Sequence, residues 1–217
     1  MRADIVDAAI RATEKFGPDV SMDDIAREAG SAKPKLYRHF NDKTDLYNAV
    51  LERLTETLWT RIIAQANLLQ DSMSDVLQHG VSEYLDLIAS QPNLFRWIAH
   101  SGIAMQAAPD GYALRSLREI SERIESVFRS IGDDGFIDAN AIELIVFSVL
   151  GMAGTATEWW MGDSDPENRP MDADEFAEYL ILTIDSIVTQ GARMYGITID
   201  SSKPLPLALS RTVAGKP

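Results

Sequence analysis

Four basic residues, Lys33, Lys35, Arg38 and Lys43, fall between Ser31 and Lys43 against the single acid Asp42, a local excess of three positive charges. Tyr37 and His39 are interleaved with them. Long cationic side chains at this density can meet phosphate oxygens, which position a protein on a duplex without reading its sequence. A lysine or arginine on a helix surface can also pair with the O6 and N7 edge of guanine in the major groove. Lys33 and Lys35 are the candidates for base reading, with Arg38 beside them. Leu36 and Phe40, at i and i+4, share the opposite side and give the segment an apolar anchor.

The elements that must hold these side chains are marked in the sequence. Ser21 and Asp24 have the spacing of a capping box, and Val20 with Ile25 that of a hydrophobic staple, so a short helix starts at about Met22. Asp23 and Asp24 complement the dipole of that helix start. Gly30 supplies its stop, and Pro34 falls in the opening turn of a second short helix. A first helix reads from about Ala3 to Phe16, with Ile5, Ala9, Ala12 and Phe16 on one stripe and Gly17-Pro18 ending it. Asn41 or Asp42 can cap a fourth helix, whose series Leu46, Val50, Leu54, Leu58 and Ile62 runs on to about Leu69.

The stretch SMDDIAREAGSAKPKLYRHFNDK, and KPKLYRHFNDK within it most of all, resembles the helix-turn-helix DNA-binding domain of the TetR family of transcriptional regulators. The motif match covers about residues 3–47; beyond it only the number and order of helices are similar. The resemblance implies that Tyr37, His39 and Lys43 contact phosphate, that Pro34 shapes the start of the recognition helix, and that the Ser21 hydroxyl also meets phosphate. Many relatives carry a basic residue at the start of the preceding helix, where this chain has Met22-Asp23-Asp24. The resemblance further implies a homodimer joined through its last two helices, and a repressor released from a palindromic operator when an effector tilts the fourth helix. The rival reading is a helical binding module that keeps the head but no longer reads DNA.

Composition fits this frame. The 217 residues, 46% hydrophobic and 24% charged, are ordinary for a globular chain. The absence of cysteine removes disulfides, thiolate metal sites and cysteine nucleophiles. The net charge of −13 is unevenly placed: residues 1–47 hold 8 basic against 9 acidic residues, residues 48–217 hold 12 against 24. The acidic body would repel DNA everywhere except at the basic segment. The amphipathic N-terminus lacks the plan of a secretory signal, and the longest apolar run, Leu144 to Thr157, is shorter than a bilayer span. A buried helix, a cytoplasmic location and no membrane partner are therefore expected.

Further helices read at about Ser74 to Ser90, Pro92 to Gln106, Asp110 to Ile131, Asp138 to Met161 and Asp172 to Tyr195, the last opened by an Asp172/Glu175 capping box. The fold class is all-α: a three-helix head over residues 1–45, an effector-binding and dimerisation body over 46–196, and an extended or mobile tail over 197–217 unless its leucine-rich middle docks. The body is rich in large apolar groups, and Phe95, Trp97, Met105, Phe147, Met152 and Trp159, with His100 and Glu158 as orienting polar groups, are the candidate pocket for a small lipophilic effector. An acyl compound, or a lipophilic cation held by acids such as Glu83, Asp86, Glu143 or Glu158, would suit it. The i, i+4 pair His79 and Glu83 is too small a set for a metal site, and three histidines without a nucleophile motif or phosphate-binding loop suggest no enzyme and no cofactor.

Overall fold

The computed structural model describes residues 1–100, 112–130, 138–162 and 169–211. It is built of helices α1 (Arg2–Phe16), α2 (Met22–Glu28), α3 (Lys33–Leu36), α4 (Lys43–Gln65), α5 (Met73–Ser90), α6 (Pro92–His100), α7 (Tyr112–Ser130), α8 (Ala139–Met161), α9 (Ala173–Met194) and α10 (Leu205–Ala208). Two three-residue strands, β1 (Ile197–Ile199) and β2 (Leu209–Arg211), pair antiparallel with Ile197 opposite Arg211. The all-α expectation holds. The chain divides into two compact units, Met1–Thr60 with Asp86–Ala113, and Arg61–Leu85 with Leu114–Pro217, so α4 and α5 each lend residues to both.

The caps lie where the side chains can form them. Ser21 accepts from the Asp24 amide and Asp24 returns to the Ser21 amide; Asp172 and Glu175 do the same ahead of α9. Ser72 and Asp75 form a further box ahead of α5. Of the two possible caps for α4, Asp42 receives the Asp45 amide at 2.8 Å, while the Asp45 carboxylate takes the Asn41 amide at 3.0 Å.

The first unit is organised round one apolar cluster. Ile5, Ala9 and Ala12 of α1, Ile25 of α2, Leu36, Phe40, the α4 residues Leu46, Tyr47 and Val50, and Leu87, Leu94 and Trp97 are all buried in it. Burial of so many large side chains, at about 25 cal/mol per Å² of apolar surface, is the main force that assembles the head. Phe16 does not share this burial: it is 42% exposed, and the Lys15 ammonium lies 5.1 Å from its ring centroid. The α1 stripe therefore ends one turn early, at Ala12 and Thr13, whose hydroxyl is satisfied by the Ala9 carbonyl at 2.8 Å.

In the second unit α8 and α9 pack closely: a Cβ at Gly191 would stand 2.6 Å from Ile145 Cγ1. Trp160 stacks on Phe176 at 4.6 Å and donates to the Met171 carbonyl at 3.0 Å. The expectation of a buried α8 is only half met. Ala141, Ile142, Val146, Thr157, Trp160 and Met161 are buried, but Leu144, Leu150 and Trp159 are exposed. By length and hydropathy alone α8 could cross a membrane, yet one side is committed to α9 and its Glu143 carboxylate receives Arg118 at 2.9 Å. Residues 197–211 are likewise not an extended tail. Leu205 and Ala208 are buried, the Leu205 amide donates to the Asp71 carbonyl at 3.0 Å, and β1 and β2 close round α10. The leucine-rich middle docks through Leu205 and Ala208, while Leu207 stays exposed.

Candidate nucleic-acid interface

Gly30 begins the geometry of the basic segment. Its φ of +59° is left-handed, the Gly30 amide donates to the Arg27 carbonyl and the Ser31 amide to the Ala26 carbonyl, which together form a Schellman stop for α2. Ala32 is extended and α3 opens with Lys33 and Pro34, where the missing amide hydrogen of proline forfeits no helical bond. The α-helix proper ends at Leu36, shorter than the helix to Phe40 that the spacing suggested. The chain still coils on: Arg38 donates to the Lys35 carbonyl, and both His39 and Phe40 donate to Leu36. Leu36 and Phe40 are buried, at 0% and 1% exposure, and hold the turn against the core. Lys33, Pro34, Lys35, Tyr37, Arg38 and Lys43 are all exposed, and His39 is half-buried.

Ion pairing then sorts the cations of the head. Arg2 reaches Asp45 at 2.9 Å while its guanidinium covers the Phe40 ring at 4.6 Å. Arg11 and Lys15 share Glu28, and together they hold its carboxyl below the usual glutamate range. Arg27 meets Asp24, which the Ser21 hydroxyl and amide keep well ionised. Lys33 donates to Asp23 Oδ2 at 2.9 Å. Among the described residues, the basic side chains of positions 1–47 with no carboxylate within 4.0 Å are Lys35, Arg38 and Lys43. Lys35 and Arg38 are exposed on the turn that Leu36 anchors, and Lys43 is exposed at the start of α4. Such a set can neutralise phosphates and reach base edges without first breaking an internal ion pair.

Sequence reasoning treated Lys33 and Lys35 alike, and the structure separates them. Nothing in the spacing of Asp23 and Lys33 foretold their contact, since it depends on how α2 and α3 are turned about Gly30. Ser21 is exposed, but its hydroxyl already donates to Asp24 Oδ2 at 2.5 Å while it accepts the Asp24 amide.

The candidate effector residues fall into two groups. Trp97 is 1% exposed, tilted against Tyr47 with ring centroids 5.2 Å apart, and Phe95 packs on the same cluster of the first unit. The i, i+3 and i+4 spacing of Leu94, Trp97 and Ile98 turns this face of α6 into the head core, where the Tyr47 hydroxyl donates to the Ile98 carbonyl at 3.2 Å. Burial pushes the Tyr47 hydroxyl up to about 12. Phe147, Met152, Glu158 and Trp159 lie along α8 in the second unit; the first two are half-buried, Glu158 is exposed, and Trp159 is 57% exposed. Met105 and the side chain of His100 lie outside the described residues. Of the acids considered for a cationic effector, Glu143 is held by Arg118, and Glu83 by Arg61 at 3.6 Å and by the Gln65 amide.

The model of the family described as "Bacterial regulatory proteins, tetR family" matches residues 5–50, which span α1 to the first part of α4. The HTH-type transcriptional regulator MT0489 of Mycobacterium tuberculosis is 31% identical over 182 residues, covering 83% of this chain and 74% of that protein. Two solved structures share the fold. The TetR family repressor AlkX from Dietzia sp. strain DQ12-45-1b, implicated in biodegradation of n-alkanes, superposes with a TM-score of 0.56 at 22% identity, over 88% of this chain and 96% of that one. The regulator FadR of Bacillus subtilis in complex with stearoyl-CoA gives 0.53 at 17% identity, over 88% and 98%.

Proposed function

This chain belongs to the TetR family of bacterial DNA-binding transcriptional regulators, and we propose that within it the protein acts as a homodimeric repressor of a palindromic operator, released by a small lipophilic effector. The observation that carries the DNA-reading role is that Lys35 and Arg38, on the turn anchored by Leu36 and Phe40, and Lys43, at the start of α4, are exposed with no carboxylate within 4.0 Å among the described residues. In this reading Lys35 meets base edges, Arg38 and Lys43 with Tyr37 and His39 meet the backbone, and Pro34 fixes the entry of the turn. Two copies on one face of B-DNA place their half-sites about 34–36 Å apart. The protein works in the cytoplasm, where its operator is, and no catalytic role is assigned to it.

Dimerisation is supported by the side of the α8 and α9 pair that its own chain leaves uncovered. Leu144, Leu150 and Trp159 of α8 and Tyr179 and Leu182 of α9 are between 38% and 61% exposed. Gly151 and Gly154 have nothing within 4 Å of an added Cβ, which allows close approach of a second copy. The effector reading rests on Phe147 and Met152, on engagement of Glu83 and Glu143 by arginines, and on the alkane link of AlkX and the stearoyl-CoA bound to FadR. These favour a neutral or acyl chain over a cation. Release requires that the effector bind the DNA-incompetent state better, and the shift cannot exceed that difference.

The test starts from a duplex selected in vitro from a random library by the purified protein. Three unpaired cations in each of two heads predict that log K falls against log salt with a slope of about −5. The Lys35→Ala and Arg38→Ala double variant removes four of the six and should bring the slope to about −2. Failure to enrich any duplex at low salt sinks the reading. Adding long-chain acyl-CoA to the complex should then release the DNA, and deleting the gene should raise transcription from the operator; a fall in transcription would instead make the protein an activator.

A further inference from the structure

The first turn of α2 carries Asp23, an exposed acid on the surface that the DNA-reading role assigns to a polyanion. Its Oδ2 accepts from Lys33 Nζ at 2.9 Å, a contact that bridges α2 and α3 across the Gly30 turn. We propose that Asp23 is a positioning residue that holds Lys33 back from phosphates, so that binding to arbitrary DNA rests on Lys35, Arg38 and Lys43 while Lys33 engages only when a matched sequence draws it away. This inference rests on the DNA-reading role above and deepens it.

Asp23 and DNA phosphates compete for the same ammonium. A free lysine on this face would neutralise a phosphate of any sequence, and each such contact adds about 0.9 to the salt slope by counterion release. A lysine already neutralised by a carboxylate releases no net ion when it changes partner, and Asp23 itself is repelled by the backbone it would uncover. Both effects weaken sequence-independent binding. A guanine edge at the right register can still compete, because its paired acceptors repay the lost ion pair where a single phosphate does not. The contact thus raises the ratio of specific to nonspecific binding by subtracting from the nonspecific arm. Proximity of Asp23 also lifts the Lys33 ammonium above its ordinary value, so the lysine stays charged and able to exchange. Lys35, two residues further on, has no such restraint among the described residues.

The experiment uses the full-length protein, the in vitro selected duplex and a random-sequence duplex of equal length, each titrated over a salt series. Asp23→Asn keeps size and polarity while releasing Lys33. Expected are a tighter complex with the random duplex, by up to about tenfold per head at 0.1 M salt, a slope steeper by about 0.9 per head, and a lower specificity ratio. The double variant Asp23→Asn with Lys33→Ala decides the route. If the gain on random DNA vanishes there, it ran through Lys33, as proposed. If the gain persists, Asp23 acts only by general repulsion and the proposal falls. It falls also if Asp23→Asn leaves both duplexes unchanged, or weakens both at an unchanged melting midpoint, since Asp23 would then itself contact DNA. Absence of any binding by the wild-type protein would indict the DNA-reading role instead.

Discussion

Replacing Trp97 with alanine separates a core residue from a ligand contact. The indole is 1% exposed and lies among Tyr47, Leu87, Leu94 and the rest of the head cluster. Truncating a buried tryptophan costs about 3–5 kcal/mol, part from lost transfer energy and part from the void left behind. The upper half of that range applies here, because the facing groups sit on three different helices, α4, α5 and α6, that cannot all close on one gap. With a urea m-value of about 2–3 kcal/mol/M the unfolding midpoint should drop by about 1.3–2.5 M. Far-UV circular dichroism is the readout, since it does not depend on the residue removed. Trp97→Phe keeps a ring against Tyr47 and should lose much less. An unchanged midpoint for Trp97→Ala would refute the packing argument and return Trp97 to the list of effector contacts.

Two further perturbations probe the same physics elsewhere. Gly191→Ala sets a helix-propensity gain of about 1 kcal/mol against overpacking of about 1–3 kcal/mol, because the new Cβ would stand 2.6 Å from Ile145 Cγ1 and the β-branched side chain has little rotamer freedom in a helix. A net loss of thermal stability is expected, relieved by Ile145→Ala; a stabilised Gly191→Ala would contradict the observed closeness of α8 and α9. Glu14 accepts from the Leu94 amide at 2.8 Å and caps α6 from outside, but burial raises its carboxyl above the ordinary 4.5 despite that bond. Its folded state therefore holds the proton more tightly, so its contribution to stability is fully present below about pH 4.5 and is lost as pH rises through the raised value. Glu14→Gln keeps an acceptor without the charge: its stability relative to wild type should increase from pH 4 to pH 7 in paired denaturation curves, and a decrease would show the anion to be favoured.

Much of the head was legible from local rules. The capping boxes at Ser21 and Asp172, the staple of Val20 and Ile25, the Gly30 stop and the paired anchors Leu36 and Phe40 each depend on residues within a few positions of one another, so spacing alone could specify them. What failed depended on distant partners. Trp97 and Trp159 looked equivalent because both are aromatics near polar residues, yet one is a core side chain and the other is 57% exposed. Phe16 matched the α1 stripe in period but is 42% exposed at the end of the helix. The α10 turn escaped notice because four residues, one of them a proline, are too few to show a period.

Local signals in the chain were enough to show that it is helical, that its first part is a helix-turn-helix head, and that a basic, aromatic segment faces outward from it. Those properties follow from short-range caps, period and charge. Which cations of that head are available to an anion depends instead on contacts between distant residues. Arg11, Lys15 and Arg27 are withdrawn onto Glu28 and Asp24, and Lys33 is tied to Asp23, while Lys35, Arg38 and Lys43 have no acid in reach among the described residues. Whether a charge is free depends on which oppositely charged group lies within about 4 Å of it, and for most of these pairs the turn at Gly17 or at Gly30 brings the partners together.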